Sequence, residues 1–483
     1  MYLGIDIGTS AVKLVLIDQD GSVVATQSER LSVSRPQSGW SEQDPDSWWR
    51  ATDTAMMTMQ NTHAELVAKI VAIGLSGQMH GMVALDKSNN VLRPAILWND
   101  TRSAVEAIEL DSQVPAFRRI SGNAVMPGFT APKALWMARH EPDLFALIDT
   151  ILLPKDYVRL CLSGEKISDM SDAAGTLWLD VDKRSWAEEL LAACDLSINQ
   201  MPRLVEGAEQ GGTLLTSIAS RWGIDGCPVI AGGGGDNAAA AIGLGVVSPG
   251  DGFLSLGTSG VVFAVTDMFA PAADSGAHAF CHALPNTWHQ MGVILAASDC
   301  ISWASEVSGL NVDQLILQLE ACDPFATEPI FHPYLSGERT PHNNADARAG
   351  FFGLSRSHEI GDMTRAILQG VSFAIADAVD VLAKAGGAPS RLVATGGGAN
   401  NQLWLRYIAS ITGCEILVPT DADIGAALGA ARLAMLAVGN DAASVCQKPA
   451  IKYAVLPEEK LAHCLQPARL RSQKLYQMFE STA

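Results

Sequence analysis

The chain lacks an uninterrupted apolar run of about 18 residues, the length that a membrane-spanning helix needs. It also lacks any C-x-x-C pair, and its nine cysteines, an odd number, are scattered from Cys161 to Cys464. A disulfide framework and a zinc site built on paired cysteines are therefore disfavoured. The first residues, 1–6 (MYLGID), have the pattern of a core strand rather than of a targeting segment. We expect reduced thiols and a cytoplasmic location.

Basic residues are scarce as well. Lys and Arg number 33 against 52 Asp and Glu, which gives a formal net charge of −19 and a pI near 4.9. Such a charge repels nucleic acid and anionic lipid, so neither a nucleic acid nor a membrane is expected as a partner. It also repels ATP, so a nucleotide site here would need Mg²⁺ and backbone N–H groups aimed at the phosphates.

The length and the order of elements predict two α/β domains. A chain of 483 residues exceeds one ordinary core and favours two domains of roughly 200–250 residues each. Strand patterns alternate with helix patterns up to about residue 245, including a helix from Pro45 to about Gln60 that Asp44 would cap. This alternation is typical of layered folds with mixed sheets. The last segment, 458–483, has the pattern of a surface helix.

A short internal repeat opens each half. Residues 4–12 (GIDIGTSAV) align with residues 253–261 (FLSLGTSGV), and a turn-rich break, 246–252, precedes the second copy. A repeat near the midpoint predicts two domains on one plan, at residues 1–247 and 248–483, with a ligand cleft between them. Asp6 of the first copy aligns with Ser255 of the second, so the two halves are expected to play different parts.

Both copies contain a Gly-Thr-Ser turn after a strand. The exposed N–H groups of such turns, with Thr9 and Ser10 in the first copy and Gly257 and Thr258 in the second, are suited to phosphate. In the first copy the strand-end carboxylate of Asp6 can hold Mg²⁺ through water, and Lys13 adds a positive charge. The alternative for each turn is an ordinary β-hairpin without a ligand. The duplication of the turn favours the phosphate-binding interpretation over this alternative.

Two glycine runs each join a strand to a helix. The first run, 232–235, leads to Asp236 and Asn237, and the second, 396–398, leads to a helix near Asn401. Glycine lets a ligand approach the backbone closely, and a helix start suits phosphate or adenosine. Asp236 is expected to stay ionised at its helix N-terminus and to act as a weak base for a hydroxyl proton, although a plain N-cap is the alternative.

Polar and aromatic residues follow two further strands. They are residues 76–81 (SGQMHG) and residues 98–102 (WNDTR), and side chains of these kinds grip sugars by hydrogen bonds and ring stacking. His278, Cys281 and His282 have metal-binding side chains, but no fourth ligand has matching spacing. These three are predicted to pack in the interior.

At these residues the chain resembles the FGGY carbohydrate kinases over nearly its whole length. Residues 129–140 (FTAPKALWMARH) resemble the first family signature, with Ala134 where a larger apolar residue is usual, and residues 349–369 fit the second. Within the family, SGQMHG, LWNDTR, GFTAPK, LLPKDY and YLSGERTPH resemble the branch that phosphorylates xylulose. The run of four glycines before Asp236 departs from the three that relatives usually have, so the geometry of that turn is open.

The resemblance implies a fold and a role for each candidate. The two domains would be actin/hexokinase-like (ribonuclease H-like), with mixed sheets and an interdomain cleft. Asp236 would be the catalytic base, and Asp6 would act on phosphate and on the Mg²⁺ of Mg-ATP. The sugar-binding residues would be Met79, His80, Asn237 and Trp98, and the ATP-binding residues Thr9, Ser10, Lys13, Gly257, Thr258, Gly397, Gly398 and Asn401.

The expected reaction is ATP-dependent phosphorylation of D-xylulose to D-xylulose 5-phosphate by an Mg²⁺-dependent enzyme, with a homodimer as the family's expectation. Two alternatives stay open. One is another ketose or polyol, such as L-xylulose, D-ribulose or xylitol. The other is an actin-like or chaperone-like ATPase switch, which would explain the duplicated turns but not the sugar-site residues or Asp236.

Overall fold

The computed structural model describes residues 1–420 and 425–480. Strands β1 to β24 are, in chain order, Tyr2–Ile7, Ala11–Ile17, Val23–Arg30, Glu42–Gln43, Ala72–Gly77, Val83–Leu85, Ala95–Ile96, Thr150–Leu152, Ile167–Asp169, Leu179–Asp180, Ser185–Trp186, Arg203–Val205, Gln210–Thr213, Val229–Ala231, Gly234–Gly235, Asp251–Leu256, Gly260–Thr266, His278–Cys281, Trp288–Ile294, Ile330–His332, Gly350–Phe352, Arg391–Thr395, Glu415–Pro419 and Ile451–Val455.

Helices α1 to α16 are, in the same order, Pro45–Val67, Ala104–Gln113, Thr130–His140, Pro142–Phe145, Pro154–Ser163, Met170–Ala174, Glu188–Ala192, Thr216–Trp222, Asp236–Gly243, Ser298–Ser308, Val312–Glu320, Ile360–Lys384, Gln402–Thr412, Gly425–Ala437, Ala442–Val445 and Glu459–Glu480. A π-helical turn spans Phe117–Ser121, and 3₁₀ turns span Ile198–Gln200, Ala273–Ser275 and Gly397–Asn400.

Two mixed sheets organise the fold. The first has the strand order β13-β14-β5-β1-β2-β3, and the second has the order β18-β19-β17-β16-β22-β23-β24. In each, the hairpin of the sequence repeat lies at the centre: β1 pairs antiparallel with β2 and parallel with β5, and β16 pairs antiparallel with β17 and parallel with β22. The expected two-domain α/β architecture with mixed sheets is confirmed.

The parallel strands decide where function can lie, because the carboxyl ends of parallel strands meet at one edge of a sheet. In the first sheet that edge gathers the ends of β1 and β5 and the short strand β15, which pairs with β5 and leads into α9. In the second sheet it gathers the end of β16 and the end of β22. The two Gly-Thr-Ser turns, the SGQMHG segment, Asp236 and the second glycine run follow these strands, whereas the WNDTR segment follows β7, which pairs with β4 outside these two sheets.

Local sequence explains how the helices begin and which faces they bury. In α1, the Asp44 side chain accepts from the backbone N–H of Asp46, and Pro45 occupies the first turn. Its buried residues, which include Trp48, Ala51, Ala55, Met56 and Met59, recur at three- and four-residue spacing against the first sheet. The helix runs to Val67 and so is longer than the predicted end near Gln60.

Two other helices qualify the sequence-based expectations. By length and composition α12 is apolar enough to cross a membrane, but 83% of its most apolar window is buried inside the protein. The C-terminal helix α16 lies at the surface as predicted, yet it buries one face, including Leu461 and Leu465, against the second core. The final three residues of the predicted helix lie outside the described residues.

Candidate active site

Two carboxylates meet at the carboxyl edge of the first sheet. Asp6 is the next-to-last residue of β1 and pairs in register with Ser76 of β5. Its Oδ1 is buried and has no hydrogen-bond partner among the described residues. Burial raises the pKa of Asp6, and neighbouring Ser76 and Lys13 offset only part of that effect. An orphaned carboxylate oxygen is a position where the protein leaves room for a ligand.

Asp236 is the first residue of α9, after the N-cap Gly235. Its Oδ1 accepts hydrogen bonds from the backbone N–H of Asn237 at 2.7 Å and from the Asn237 Nδ2 at 2.9 Å. Burial and then the charge of Asp6 raise the pKa of Asp236 to about 7. The expectation that the helix N-terminus keeps this carboxylate ionised, and therefore a weak base, is wrong. Desolvation and a like charge outweigh the dipole of a short helix.

The four-glycine run is a steric requirement of this turn. A Cβ on Gly232 would lie 2.1 Å from the Glu206 carbonyl oxygen, and one on Gly233 would lie 2.3 Å from the Leu75 carbonyl oxygen. Gly233 also has a φ of +83°, which side-chain-bearing residues rarely adopt. The four glycines therefore allow the chain to turn closely past β5, and Asp236 still falls at the start of a helix.

A buried charge cluster lies behind the turn. Lys155 of α5 has its Nζ 2.8 Å from Asp169 Oδ1 and 3.2 Å from Asp172 Oδ2, and all three side chains are fully buried. Burial alone would lower the pKa of Lys155, but these carboxylates and Asp156 hold it above its ordinary value. Asp169 Oδ2 accepts from the Ser171 hydroxyl, whose oxygen accepts from the Gly235 N–H at 3.1 Å. The cluster thus anchors the residue before Asp236, a role that sequence analysis missed although it quoted the LLPKDY motif.

His80 follows β5 beside the same turn. Its Nδ1 lies 2.7 Å from the Gly175 carbonyl oxygen, so Nδ1 carries the hydrogen and Nε2 is left as an acceptor. Burial lowers the pKa of His80 to about 3, so the ring is neutral at physiological pH. The Met79 side chain packs closely against the turn. A Cβ atom added to Gly235 would lie only 2.9 Å from Met79 Sδ. Both residues lie beside the turn that carries Asp236, and their role in sugar binding stays a prediction.

A hydrogen-bond network joins Thr9 to the sugar-side residues. The Thr9 hydroxyl donates to Gln78 Oε1 at 2.8 Å and accepts from the Trp98 indole N–H at 3.0 Å. Gln78 Nε2 donates in turn to Gln43 Oε1 at 2.9 Å. Trp98 is 47% exposed, which leaves its ring free to stack on a ligand. Sequence analysis quoted Gln78 within SGQMHG but did not assign it a role, and it did not anticipate that Thr9 contacts Trp98.

The remaining residues of the first turn lie outside this network. Ser10 and Lys13 have exposed side chains. Lys13 is opposite Asp6 in the β1–β2 register, and its charge acts on the pKa of that carboxyl.

A cavity of about 840 Å³ lies at the carboxyl edge of the second sheet. Its lining brings together the predicted residues Gly257, Thr258, Gly397, Gly398 and Asn401. Asn401 also caps α13, since its Oδ1 accepts from the Trp404 N–H at 2.9 Å. The volume is in the range of small-molecule and nucleotide sites.

The other wall of this cavity was not predicted. It comes from α10 and α11 and includes Ser298, Asp313, Ile316 and Leu317. Leu317 is 67% exposed and Val312 43% exposed, so the wall offers apolar surface to a ligand. These residues lie on ordinary amphipathic helices, and no sequence motif marks them.

Among the described residues, no group of three or more His, Cys, Asp and Glu side chains forms a metal cluster. His278, Cys281 and His282 lie buried, and His278 stacks on Phe280, as the sequence predicted. Mg²⁺ in nucleotide sites is held by one or two carboxylates together with waters and phosphates. Asp6, with its unpaired Oδ1, fits that chemistry without a protein cage.

The sequence matches two family models: the FGGY family of carbohydrate kinases, N-terminal domain, at residues 1–243, and the C-terminal domain of the same family, at residues 252–438. It is 50% identical over 480 residues to a xylulose kinase of Escherichia coli strain K12, covering 99% of each chain. It is 50% identical over 443 residues to one of Klebsiella pneumoniae, covering 92% of this chain and 91% of the other. The crystal structure of a "xyloylose kinase" from Brucella ovis superposes with a TM-score of 0.98 at 48% identity, covering 100% of both chains.

Proposed function

Because the chain belongs to the FGGY family of carbohydrate kinases, we propose that it transfers the γ-phosphoryl group of ATP to a hydroxyl of D-xylulose, giving D-xylulose 5-phosphate and ADP. The similar proteins named as xylulose kinases match this chain from end to end, which favours that sugar over other ketoses and polyols.

The observation that carries the mechanism is Asp236, a carboxylate whose pKa is raised to about 7 next to Asp6. A base poised near the working pH combines a useful deprotonated fraction with a useful proton affinity. Asp236 accepts the proton of the sugar hydroxyl as the new bond from the hydroxyl oxygen to the γ-phosphorus forms. The bond from that phosphorus to the β–γ bridging oxygen breaks, and ADP leaves with the electron pair.

The sugar is oriented by residues around Asp236. Neutral His80 offers its Nε2 to a hydroxyl hydrogen, Asn237 and Met79 flank the base, and Trp98 presents its ring. The Thr9–Gln78 bond holds the first turn in place beside them. Positioning of this kind is the main source of rate in phosphoryl transfer.

The nucleotide is held at the second sheet. The backbone lines the large cavity at four residues: Gly257, Thr258, Gly397 and Gly398. The apolar residues of α11 offer a face for adenine on the other wall. We propose Mg²⁺ as the cofactor, with Asp6 holding it through water. When bound, it would neutralise charge on the β- and γ-phosphates.

We also propose that residues 1–247 and 248–483 are the two domains, that the enzyme works in the cytoplasm, and that it is a homodimer. The nine cysteines, all free, are consistent with a reducing compartment. Light scattering on the purified protein tests the dimer directly, since a monomer mass would remove that part of the proposal.

The test of function is ADP release with Mg-ATP across D-xylulose, L-xylulose, D-ribulose, xylitol, glycerol and gluconate. Strong stimulation by D-xylulose, with ³¹P NMR showing a phosphate ester on the terminal carbon, supports the proposal. Stimulation by a different member keeps the kinase and replaces its sugar. Steady hydrolysis that no sugar stimulates would instead favour an ATPase switch.

A further inference from the structure

The loop 337–344 overlaps the YLSGERTPH stretch (residues 334–342), to which the mechanism above assigns no role. It is fixed to β19 and its continuation by several hydrogen bonds. Glu338 Oε1 accepts from the backbone N–H of Leu295 at 3.0 Å and from that of Arg339 at 2.8 Å. The Thr340 hydroxyl oxygen accepts from the Val293 N–H at 3.0 Å, and its hydrogen goes to the Gly276 carbonyl at 2.8 Å. Because these anchors flank Arg339, its backbone has one defined position.

Through His278, which is also in the second half, Arg339 is linked to Asn123 of the first half. Its Nη1 lies 3.5 Å from His278 Nε2, and His278 Nδ1 lies 2.9 Å from Asn123 Oδ1. Asn123 cannot be turned around, because its Nδ2 donates to the carbonyls of Ser121 and Ala279. His278 Nδ1 is therefore the donor and His278 Nε2 the acceptor, which leaves Arg339 as the donor.

The guanidinium is otherwise without a partner in the described parts of the chain. No carboxylate in residues 1–420 or 425–480 forms an ion pair with it. The adjacent Glu338 uses Oε1 for two backbone N–H groups, and its Oε2 is buried without a hydrogen-bond partner among the described residues. Arg339 is only partly exposed, yet none of its nitrogens is among the sealed, unpaired atoms. Its remaining N–H donors thus open onto accessible space.

A pair of aromatic contacts relates the Arg339 partner His278 to the sugar-side histidine, His80. Phe129 lies between the two rings, with centroids 4.6 Å from His80 and 5.6 Å from His278. The positive charge of Arg339 is also one of the lesser causes, after burial, of the lowered pKa of His80. A cation with free donors therefore lies within electrostatic reach of a histidine whose Nε2 can only accept, with His278 and Phe129 between them.

We propose that Arg339 is a sugar-binding residue contributed by the second half, donating to an oxygen of the bound substrate beside His80. This inference rests on the proposed function, because it names a further contact at the same sugar site. His80 Nε2 requires a hydroxyl hydrogen and Arg339 requires an acceptor oxygen, so the pair matches neighbouring oxygens on a ketose or polyol chain. The sugar site is then complete only when both halves contribute.

The test compares Arg339→Gln and Arg339→Lys with a control, Arg356→Gln, which removes an exposed arginine of the same half. Loss of a charge-assisted hydrogen bond raises the KM for the sugar by about 10-fold or more in Arg339→Gln, with partial recovery in Arg339→Lys. The KM for ATP and the ATP hydrolysis seen without sugar stay at the wild-type level. The upward shift in melting temperature that the sugar produces is lost, while the melting temperature of the free protein is retained.

An unchanged sugar KM in Arg339→Gln would overturn the inference. So would equal rises in both KM values together with a lower melting temperature, since those indicate that Arg339 only supports the loop. Failure of the proposed function is a separate result, seen when no sugar stimulates ADP release by the wild-type protein.

Discussion

Asp236 carries two opposed properties in one side chain. Its pKa of about 7 makes it a competent proton acceptor, but above that pH the protein must bury an ionised carboxylate beside Asp6. A folded-state pKa raised above the unfolded value means that stability is lost as pH rises from the unfolded pKa through the folded one. Function and stability therefore conflict at this residue.

Asp236→Asn is expected to separate these properties. The amide cannot accept the hydroxyl proton, so kcat falls by about 10²–10⁴-fold. It also carries no charge to bury, so the melting temperature gains more over wild type at about pH 8 than at about pH 5, where the folded carboxyl is still protonated and only part of the wild-type penalty has accrued. Steady-state kinetics and thermal melting at the two pH values check this. A variant with near-normal kcat would remove Asp236 from the role of base.

The pH profile gives a second expectation at residue scale. Because the base must be deprotonated, kcat/KM for the sugar rises with pH through about 7 and then levels off. Asp6→Asn removes the like charge that helps to raise the pKa of Asp236, so the rise moves to lower pH. Profiles of both proteins, or NMR titration of Asp236 where activity is too low, measure the shift. An unmoved midpoint would mean that the two carboxylates are not coupled.

The positions of the candidate residues were largely predictable from sequence, but their protonation was not. Asp6 lies at the end of a strand, and Met79, His80 and Asp236 each follow one. Strand ends converge by the rules of parallel pairing. The pKa of Asp236 depends on how much water the fold excludes and on the distance to Asp6, which no local pattern encodes. Lys155 was missed for the same reason, since only one of its carboxylate partners, Asp156, is its neighbour in sequence, and the other two, Asp169 and Asp172, come from a later segment.

At the scale of elements, helix α14 is the least expected feature. It belongs to the second half in sequence but packs on α9 and on the first sheet. Glycines permit this contact: a Cβ on Gly4 would lie 1.9 Å from the Ala427 carbonyl oxygen, and one on Gly429 would lie 1.7 Å from the Ala239 carbonyl oxygen. At these glycines the backbone of α14 is in direct contact with the backbone of the first half.

Gly429→Ala is expected to separate α14 from α9. The added methyl group forces a backbone shift, and overpacking of this kind destabilises by about 1–3 kcal/mol. Since α9 begins with Asp236, kcat falls as well. Gly425→Ala is the matched control on the same helix, because its Cβ would meet Ala240 Cβ at an ordinary 3.7 Å. Denaturant unfolding and kcat of both variants decide the matter, and equal stability of the two would contradict close packing.

Element positions followed from periodicity, whereas element partners did not. The helix starting at Pro45 was recognisable from Asp44 and its apolar spacing, and the paired hairpins were recognisable from the repeat. A periodic pattern reports that one face is apolar, but not which surface covers it. The packing of α14 on the first sheet depends on small residues far apart in sequence, such as Gly4 and Gly429, which carry no periodic signal.

For the whole molecule, the division of labour between the sheets leads to a further expectation. The cavity that we propose for the nucleotide is formed by the second sheet and its helices, so we expect that ATP can bind before the sugar does. Asp236 is partly exposed, so water can occupy the position of the sugar hydroxyl. We expect slow ATP hydrolysis without sugar and its loss in Asp236→Asn, measured by phosphate release. Hydrolysis that survives in the variant would point to a contaminating ATPase or to another base.

The packing of α14 also governs how the protein can be made. One apolar cluster combines Val15 and Ile17 from the start of the chain with Ala427 and Ala431 from near its end. While the ribosome is still translating, the N-terminal half therefore presents an uncovered apolar face, and it stays uncovered until α14 has left the exit tunnel. Nascent chains in that interval are natural clients for chaperones, and an N-terminal fragment expressed alone would aggregate rather than serve as an independent sugar-binding module.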